Sequence, residues 1–211
     1  MKAAVKVYLV DDHAVVREGY KHLLEKANIK VIAEASSGEE AYKNYDFIKP
    51  DVMIMDLSMP GMGGMETIKK LMIKDKNTKI LAFSMHDEVV YCTRVMQAGA
   101  SGYVTKSCAP DVLVEAVFAI VSNRKYISHD LAHKIATQHL KTDSALDNLT
   151  AREFEVFRLL TKGLSLEDVA HTLNLSYKTI ANHQTQLLQK LHVENRSQLL
   201  LTAIKLNILE H

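Results

Sequence analysis

Asp56 closes the apolar run Val52-Met53-Ile54-Met55 and precedes the breaker stretch Ser58-Met59-Pro60-Gly61. That spacing predicts a carboxylate at the C-terminal edge of a buried strand, beside a loop, where a ligand can reach it. Parallel sheets gather their functional groups at this edge. Three other segments end in the same way: Asp11-Asp12 follow Val7-Tyr8-Leu9-Val10, Ser84 follows Ile80-Leu81-Ala82-Phe83, and Lys106 comes just after Gly102-Tyr103-Val104. One acid at a strand end is ordinarily just solvated. Acid, acid, hydroxyl and amine at four strand ends describe a place for phosphorylation. Aspartate is a weak nucleophile, so attack on phosphorus depends on positioning and on neutralised charge. Asp11 and Asp12 repel Asp56 unless a divalent cation joins them. A hard, oxygen-seeking ion such as Mg2+ suits a few carboxylates and keeps positions for water and phosphate. Lys106 offers a point charge to a phosphoryl oxygen, and the Ser84 hydroxyl can donate to another.

The elements that must hold these groups follow from the patterning of the first ~125 residues, where short apolar runs alternate with helical stretches, the signature of an α/β domain. Strands are predicted at Val5–Val10, Val31–Ala35, Val52–Met55, Ile80–Phe83 and Gly102–Val104. Helices are predicted at Val15–Lys26, Glu39–Phe47, Met65–Lys74, Glu88–Ala98 and Asp111–Val121, with Gly and Pro punctuating the connections. Parallel strands need crossovers, so the expectation is a doubly wound, five-stranded parallel sheet over residues 1–126. Beyond Tyr126 the strand pattern stops. Residues 127–145 read as a linker with one helix over Ser128–Leu140, and residues 146–208 as a smaller all-α domain. Leu209-Glu210-His211 resembles the start of a vector-encoded tag.

Bulk properties are ordinary: 211 residues and a formal charge of +1. No apolar run approaches the ~20 residues of a membrane span, and the N-terminus lacks signal-peptide organisation. A cytoplasmic chain is expected, with Cys92 and Cys108 as reduced thiols.

In the second domain, helices are expected at Ala151–Lys162, Leu166–Leu173, Thr179–Leu191 and Gln198–Leu206. The middle pair has helix-turn-helix dimensions, with Ser176 as N-cap of the second helix. Val169, Ala170, Leu173, Leu175, Ile180, Leu187, Leu188 and Leu191 form its inner face. The outer face carries Lys178, Asn182, Thr185, Gln186, Gln189 and Lys190, and no acid lies between Ser176 and Leu191. Such a face suits approach to phosphates. Amide side chains can read adenine edges, and a threonine methyl can pack on thymine.

Two resemblances follow. The Asp11-Asp12 pair, Asp56 with Met59-Pro60-Gly61, Ser84 and the stretch Gly99-Ala100-Ser101-Gly102-Tyr103-Val104-Thr105-Lys106 resemble a response-regulator receiver domain of flavodoxin-like fold. Leu149-Thr150-Ala151-Arg152-Glu153-Phe154-Glu155-Val156, Gly163-Leu164-Ser165, Ser176-Tyr177-Lys178-Thr179-Ile180, His183 and Lys190-Leu191 resemble the LuxR-type DNA-binding domain. Together they are similar to the NarL/FixJ class. The resemblance implies phosphoryl transfer from a sensor histidine kinase to Asp56, with Mg2+ held by Asp12, Asp56 and the main-chain carbonyl of Ser58, and Asp11 acting through water. Ser84 and Tyr103 would be a switch pair, the hydroxyl moving toward phosphate and the ring turning inward, with Lys106 on the phosphate. DNA contacts would fall to Ser176, Lys178, Thr179, Asn182, Thr185, Gln186 and Lys190. The partners implied are double-stranded DNA, a second copy of the chain when phosphorylated, and RNA polymerase, but no membrane.

Departures sharpen the expectations. Ser107 stands where many receivers have proline, and Ser84 keeps only the hydroxyl of the commoner threonine. Ala181 and Gln184 stand where the family often has lysine and arginine, and over residues 146–208 seven Lys/Arg face six Asp/Glu. Weak monomeric DNA binding is therefore expected, and the alternative reading is a receiver-based interaction module whose helical domain binds DNA weakly or not at all. A phosphatase with an aspartate nucleophile of the haloacid-dehalogenase type needs a second acid two positions on, where this chain has Ser58. The chain is thus expected to be a stoichiometric phosphoacceptor with autocatalytic phosphorylation and dephosphorylation, not a conventional enzyme.

Overall fold

The computed structural model describes residues 4–137, 146 and 148–206. Backbone contacts divide the chain into two compact units, Met1–His139 and Leu140–His211. The expected linker beyond residue 137 and the expected tag start at 209–211 lie outside the described residues.

In the first unit, β1 (Val5–Val10), β2 (Ile29–Ala35), β3 (Val52–Asp56), β4 (Ile80–Ser84) and β5 (Gly102–Thr105) alternate with α1 (Ala14–Lys26), α2 (Gly38–Ile48), α3 (Gly64–Lys74), α4 (Val89–Gln97) and α5 (Pro110–Val121). All of β3, β4 and β5 is buried, which is why these strands read as unbroken apolar runs rather than alternating ones. Every pairing is parallel. The strand order is β2-β1-β3-β4-β5 and onward. The chain winds outward to β2 and then returns past β1 to lay down β3. The reversal opens a crevice at the C-terminal ends of β1 and β3, where such sheets bind ligands. One side of the sheet packs Leu9, Ile54 and Phe83 against Leu24 of α1 and Leu113, Val117 and Ile120 of α5.

One expectation is corrected: among the described residues the sheet has six strands, not five. β6 (Tyr126–Ile127) pairs with Gly102 and Tyr103 of β5. Two residues are too short for any periodicity to register. Gly102 makes room for them, since a Cβ there would sit 2.8 Å from the Tyr126 carbonyl oxygen. α6 (His129–Thr137) follows directly, with Leu131 buried. The segment expected to be a linker therefore begins as part of the first unit. Cys92 and Cys108 are free thiols, and no described helix is long and apolar enough to cross a membrane.

The second unit holds α7 (Ala151–Thr161), α8 (Leu166–Leu173), α9 (Tyr177–Lys190) and α10 (Arg196–Lys205). Each starts at a side-chain cap. Thr150 with Glu153 and Ser165 with Asp168 form capping boxes, while Ser176 and Asn195 accept from the amides of Thr179 and Gln198. The last two caps explain why α9 and α10 begin two residues before the predicted Thr179 and Gln198. Asn174, at φ 52°, ends α8 in the left-handed conformation that asparagine tolerates. Phe154, Phe157, Leu160, Val169, Ile180, Leu187 and Leu199 fill the core, whereas Leu175 and Leu188 are only half-buried.

Candidate functional site

Because β1 and β3 are neighbours, Asp11 just past β1 and Asp56 at the end of β3 come together at the crevice, each 2% exposed. Lys106 arrives from the end of β5 and joins them: its Nζ lies 2.6 Å from Asp11 Oδ2 and 2.7 Å from Asp56 Oδ2. Its backbone amide donates to the Ser84 carbonyl at 2.7 Å, which fixes where the side chain starts. The other oxygen of Asp56 accepts from the Ser58 amide at 3.1 Å. Burial pushes the Asp56 carboxyl above its ordinary pKa, although Lys106 and the Ser58 amide pull the other way. Burial alone would lower the pKa of Lys106, but Asp56 and Asp11 outweigh it and hold the ammonium above its ordinary value. The Lys106–Ser107 peptide bond is trans.

The donor set suits a divalent cation. Oxygens of Asp11, Asp12 and Asp56 and a ring nitrogen of His13 all lie within 4.8 Å of one another. Asp12 Oδ1 is buried and makes no hydrogen bond, although His13 Nδ1 is 3.0 Å away. Three carboxylates against one ammonium leave two negative charges, and an orphaned carboxylate oxygen among them is what a hard cation satisfies. His13 was not among the expected residues. It occupies the N-cap position of α1 and its amide donates to Asp11 Oδ1 at 2.8 Å, a return contact that only the turn reveals.

Ser84 and Tyr103 are both fully buried. The Tyr103 ring lies inward, its hydroxyl donating to the His86 carbonyl at 2.7 Å. His86 also had no place in the expectations, yet it joins Ser58, Ser84 and Tyr103. Its amide donates to Ser84 Oγ at 3.2 Å, Nε2 is 2.9 Å from Ser58 Oγ, and its ring meets Tyr91 edge-on at 4.6 Å.

In the second unit, Ser176, Lys178, Asn182, Thr185 and Gln186 are exposed on or just before α9, and Thr179 is half-buried. Ser176 Oγ accepts from the Thr179 amide and lies 2.8 Å from Thr179 Oγ1, while Thr185 Oγ1 donates to the Ala181 carbonyl. Lys190 differs from its neighbours on that face. Its ammonium is 2.7 Å from Oε2 of Glu153, a carboxylate only 3% exposed that also accepts from the Thr150 amide. That ion pair gives Lys190 a structural task, and Lys178 is left as the exposed cation on this face.

Burial works to raise the Glu153 pKa, but the bonds from Lys190 and Thr150 outweigh it and hold the carboxyl below the usual glutamate value. A depressed folded pKa stabilises the fold above the unfolded value of about 4.3 and the benefit is lost as pH falls through the folded value. The helical unit should therefore lose stability on acidification below that range. Lys190→Met should flatten the acid loss and cost about 1.5–3 kcal/mol at neutral pH, the usual worth of a hydrogen bond to a charged group. Urea denaturation across pH 3–7 checks both.

Comparison with known proteins agrees with this geometry. Residues 7–118 match the response regulator receiver domain, and residues 147–203 match the luxR family of bacterial regulatory proteins. The chain is 37% identical over 205 residues to the response regulator UvrY of Escherichia coli K12, covering 95% of this chain and 94% of that one. A crystal structure of a LuxR-family two-component response regulator from Aurantimonas sp. SI85-9A1 is 43% identical, covers 63% of this chain and 96% of its own, and has a TM-score of 0.62. RcsB from Salmonella enterica serovar Typhimurium, solved on a promoter with the phosphomimetic BeF3−, is 28% identical, with 93% and 96% covered and a TM-score of 0.65. RcsB has also been solved as two dimers on two parallel DNAs, at 27% identity, with 96% and 98% covered and a TM-score of 0.61.

Proposed function

The chain belongs to the response regulators that join a receiver domain to a LuxR-type DNA-binding domain, and from that premise we propose that Asp56 is the phosphoacceptor controlling a dimeric DNA-binding transcription regulator. A sensor histidine kinase presents a phosphohistidine. An Asp56 carboxylate oxygen attacks phosphorus, the P–N bond breaks, and the kinase imidazole leaves with the bonding pair and takes a proton from solvent. Lys106 is placed to follow the charge from the carboxylate to a phosphoryl oxygen, and the Ser84 hydroxyl to donate to another. Asp11, Asp12, Asp56 and the Ser58 carbonyl would hold Mg2+, which when bound neutralises the crowded oxygens. Attack by water on phosphorus returns the carboxylate and inorganic phosphate. RNA polymerase is the machinery that such a dimer would meet at a promoter.

The observation that carries this reading is the Lys106 bridge between two buried carboxylates at the sheet's switch point, in a chain whose α9 presents an acid-free outer face. Ser176, Lys178, Thr179, Asn182, Thr185 and Gln186 are the contacts we assign to DNA. Lys190 contributes through Glu153 rather than through phosphate. With so few cations, affinity rests on two tethered half-site contacts reinforcing each other.

Anisotropy titrations on duplex DNA, with and without acetyl phosphate and Mg2+, test this. Phosphorylated protein should bind at lower concentration. Its salt slope should be shallow, because each missing phosphate contact removes about one unit. A steep slope would contradict the assignment of contacts. Absence of binding in both states would favour the interaction-module reading, which the loss of cations at Ala181 and Gln184 and the engagement of Lys190 support.

A further inference from the structure

Because the strands are parallel, the loops that enter β4, β5 and β6 gather at one end of the sheet, opposite to Asp56. These loops are Lys76-Asn77-Thr78-Lys79, Gly99-Ala100-Ser101 and Asn123-Arg124-Lys125. Backbone bonds hold them side by side. The Ser101 amide donates to the Ile80 carbonyl at 2.7 Å, and the Tyr126 amide to the Ser101 carbonyl at 3.2 Å. Between them opens a cleft of about 360 Å³, within the size range of small-molecule sites. Half-buried Met72 and buried Ala100 and Ile120 give it an apolar floor. Gly99, at φ 109°, lets its loop close on that floor, since a Cβ there would sit 2.7 Å from Met72 Cγ.

The rim carries Lys76, Lys79, Arg124 and Lys125, and no acid lines the cleft. A lone lysine in a turn is ordinarily just solvated. Here four cations share one concavity in a chain whose net charge is only +1. Among the described residues, Lys76, Arg124 and Lys125 make no ion pair. The Lys79 ammonium donates to the Val121 carbonyl at 2.8 Å, which holds it in place and leaves two of its three protons. Asp75, the acid next to Lys76, has both oxygens engaged, by the Tyr45 hydroxyl at 3.0 Å and the Asn77 amide at 2.9 Å. We propose that this cleft binds a nucleoside polyphosphate, its base on the apolar floor and its phosphates on the four cations. Arg124 offers a planar fork to phosphate oxygens and the lysines offer point charges. A nucleic-acid duplex presents its phosphates along a convex ridge and would leave such a floor empty. The site lies at the far end of the sheet from Asp56, and the proposal does not depend on phosphorylation there.

The full chain, carrying 13C-labelled methionine methyls, is titrated with ATP, GTP and inorganic tripolyphosphate in the presence of EDTA. Met72→Leu identifies the Met72 resonance. ATP or GTP should shift it saturably and leave Met55 and Met59, on either side of Asp56, unmoved. Tripolyphosphate should bind more weakly and move Met72 less. Lys76→Gln and Arg124→Gln, both at exposed positions, should each weaken nucleotide binding about two- to fivefold, the scale of one exposed ion pair. Lys43→Gln, outside the cleft, should change nothing. Failure of both nucleotides to shift Met72 overturns the site. Tripolyphosphate binding as tightly as ATP takes the base off the floor and overturns the assignment to a nucleotide. A short DNA duplex whose affinity falls in the same variants, with no response of Met72 to nucleotide, gives the cations to a nucleic-acid backbone and overturns it equally.

Discussion

Asp56→Asn should abolish uptake of acid-labile phosphate from acetyl phosphate and, at neutral pH without added metal, leave the receiver unit more stable than the wild type. The first effect follows from the chemistry, because an amide offers no anionic oxygen to phosphorus. The second follows from burial. Asp56 is 2% exposed and its carboxyl titrates above its ordinary value because the ionised form is poorly solvated there. For a group whose folded pKa is raised, stability is fully present below the unfolded value of about 3.9 and is lost as pH rises through the folded value. The wild type therefore carries a penalty at neutral pH that the variant lacks, about 0.5–2 kcal/mol on the usual scale for relaxing a functional site. Below about pH 4 the two proteins should converge. Adding Mg2+ should narrow the gap at neutral pH, since a ligand that binds only the folded state stabilises it by mass action. Urea denaturation with and without EDTA measures all of this. Retained phosphate uptake would remove Asp56 from its role.

What the sequence revealed and what it hid divide along a physical line. β3, β4 and β5 were legible because strands buried on both faces must be apolar throughout, and Asp56, Ser84 and Lys106 were legible because each sits where such a run ends. Ser176 declared itself as an N-cap by residue type alone. The contacts that depend on closure of the fold were not legible. His13 turns back onto Asp11 and Asp12 only once α1 starts, and His86 acquires its role from a loop that brings Ser58, 28 residues away, within 2.9 Å. Lys190 looked like a DNA contact because its helical spacing puts it on the outer face. Its long side chain also reaches Glu153, 37 residues earlier, and no periodicity encodes that reach. β6 escaped because a two-residue strand depends on its neighbour: Gly102 admits it, and only the folded β5 edge shows that.

Gly64→Ala should destabilise the receiver unit severely. Gly64 is the first residue of α3, and its amide donates to the Leu57 carbonyl at 3.2 Å, folding the loop after β3 back on itself. A Cβ at this position would overlap the carbonyl oxygen of Asp56 and lie 2.7 Å from Leu57 Cα and 2.9 Å from Asp56 carbonyl carbon. All three obstacles are backbone, so no side-chain rotation relieves them. Either the start of α3 moves or the end of β3 does, and β3 is pinned between β1 and β4 by its ladders. Overpacking against a fixed backbone costs about 3 kcal/mol or more at the severe end of its range. Because the crowded backbone is that of Asp56, the proposed phosphoacceptor, its carboxylate should also shift from Lys106, slowing phosphate uptake in whatever fraction remains folded. Gly19→Ala supplies the opposite sign from the same chemistry. Gly19 lies within α1, and a Cβ there meets nothing within 4 Å. Filling an open helix position with alanine should therefore stabilise the unit by about 0.5–1 kcal/mol. Melting both variants beside the wild type decides the matter: a Gly64→Ala protein as stable as Gly19→Ala would mean that the loop after β3 is free to move, and the site it carries is not preorganised.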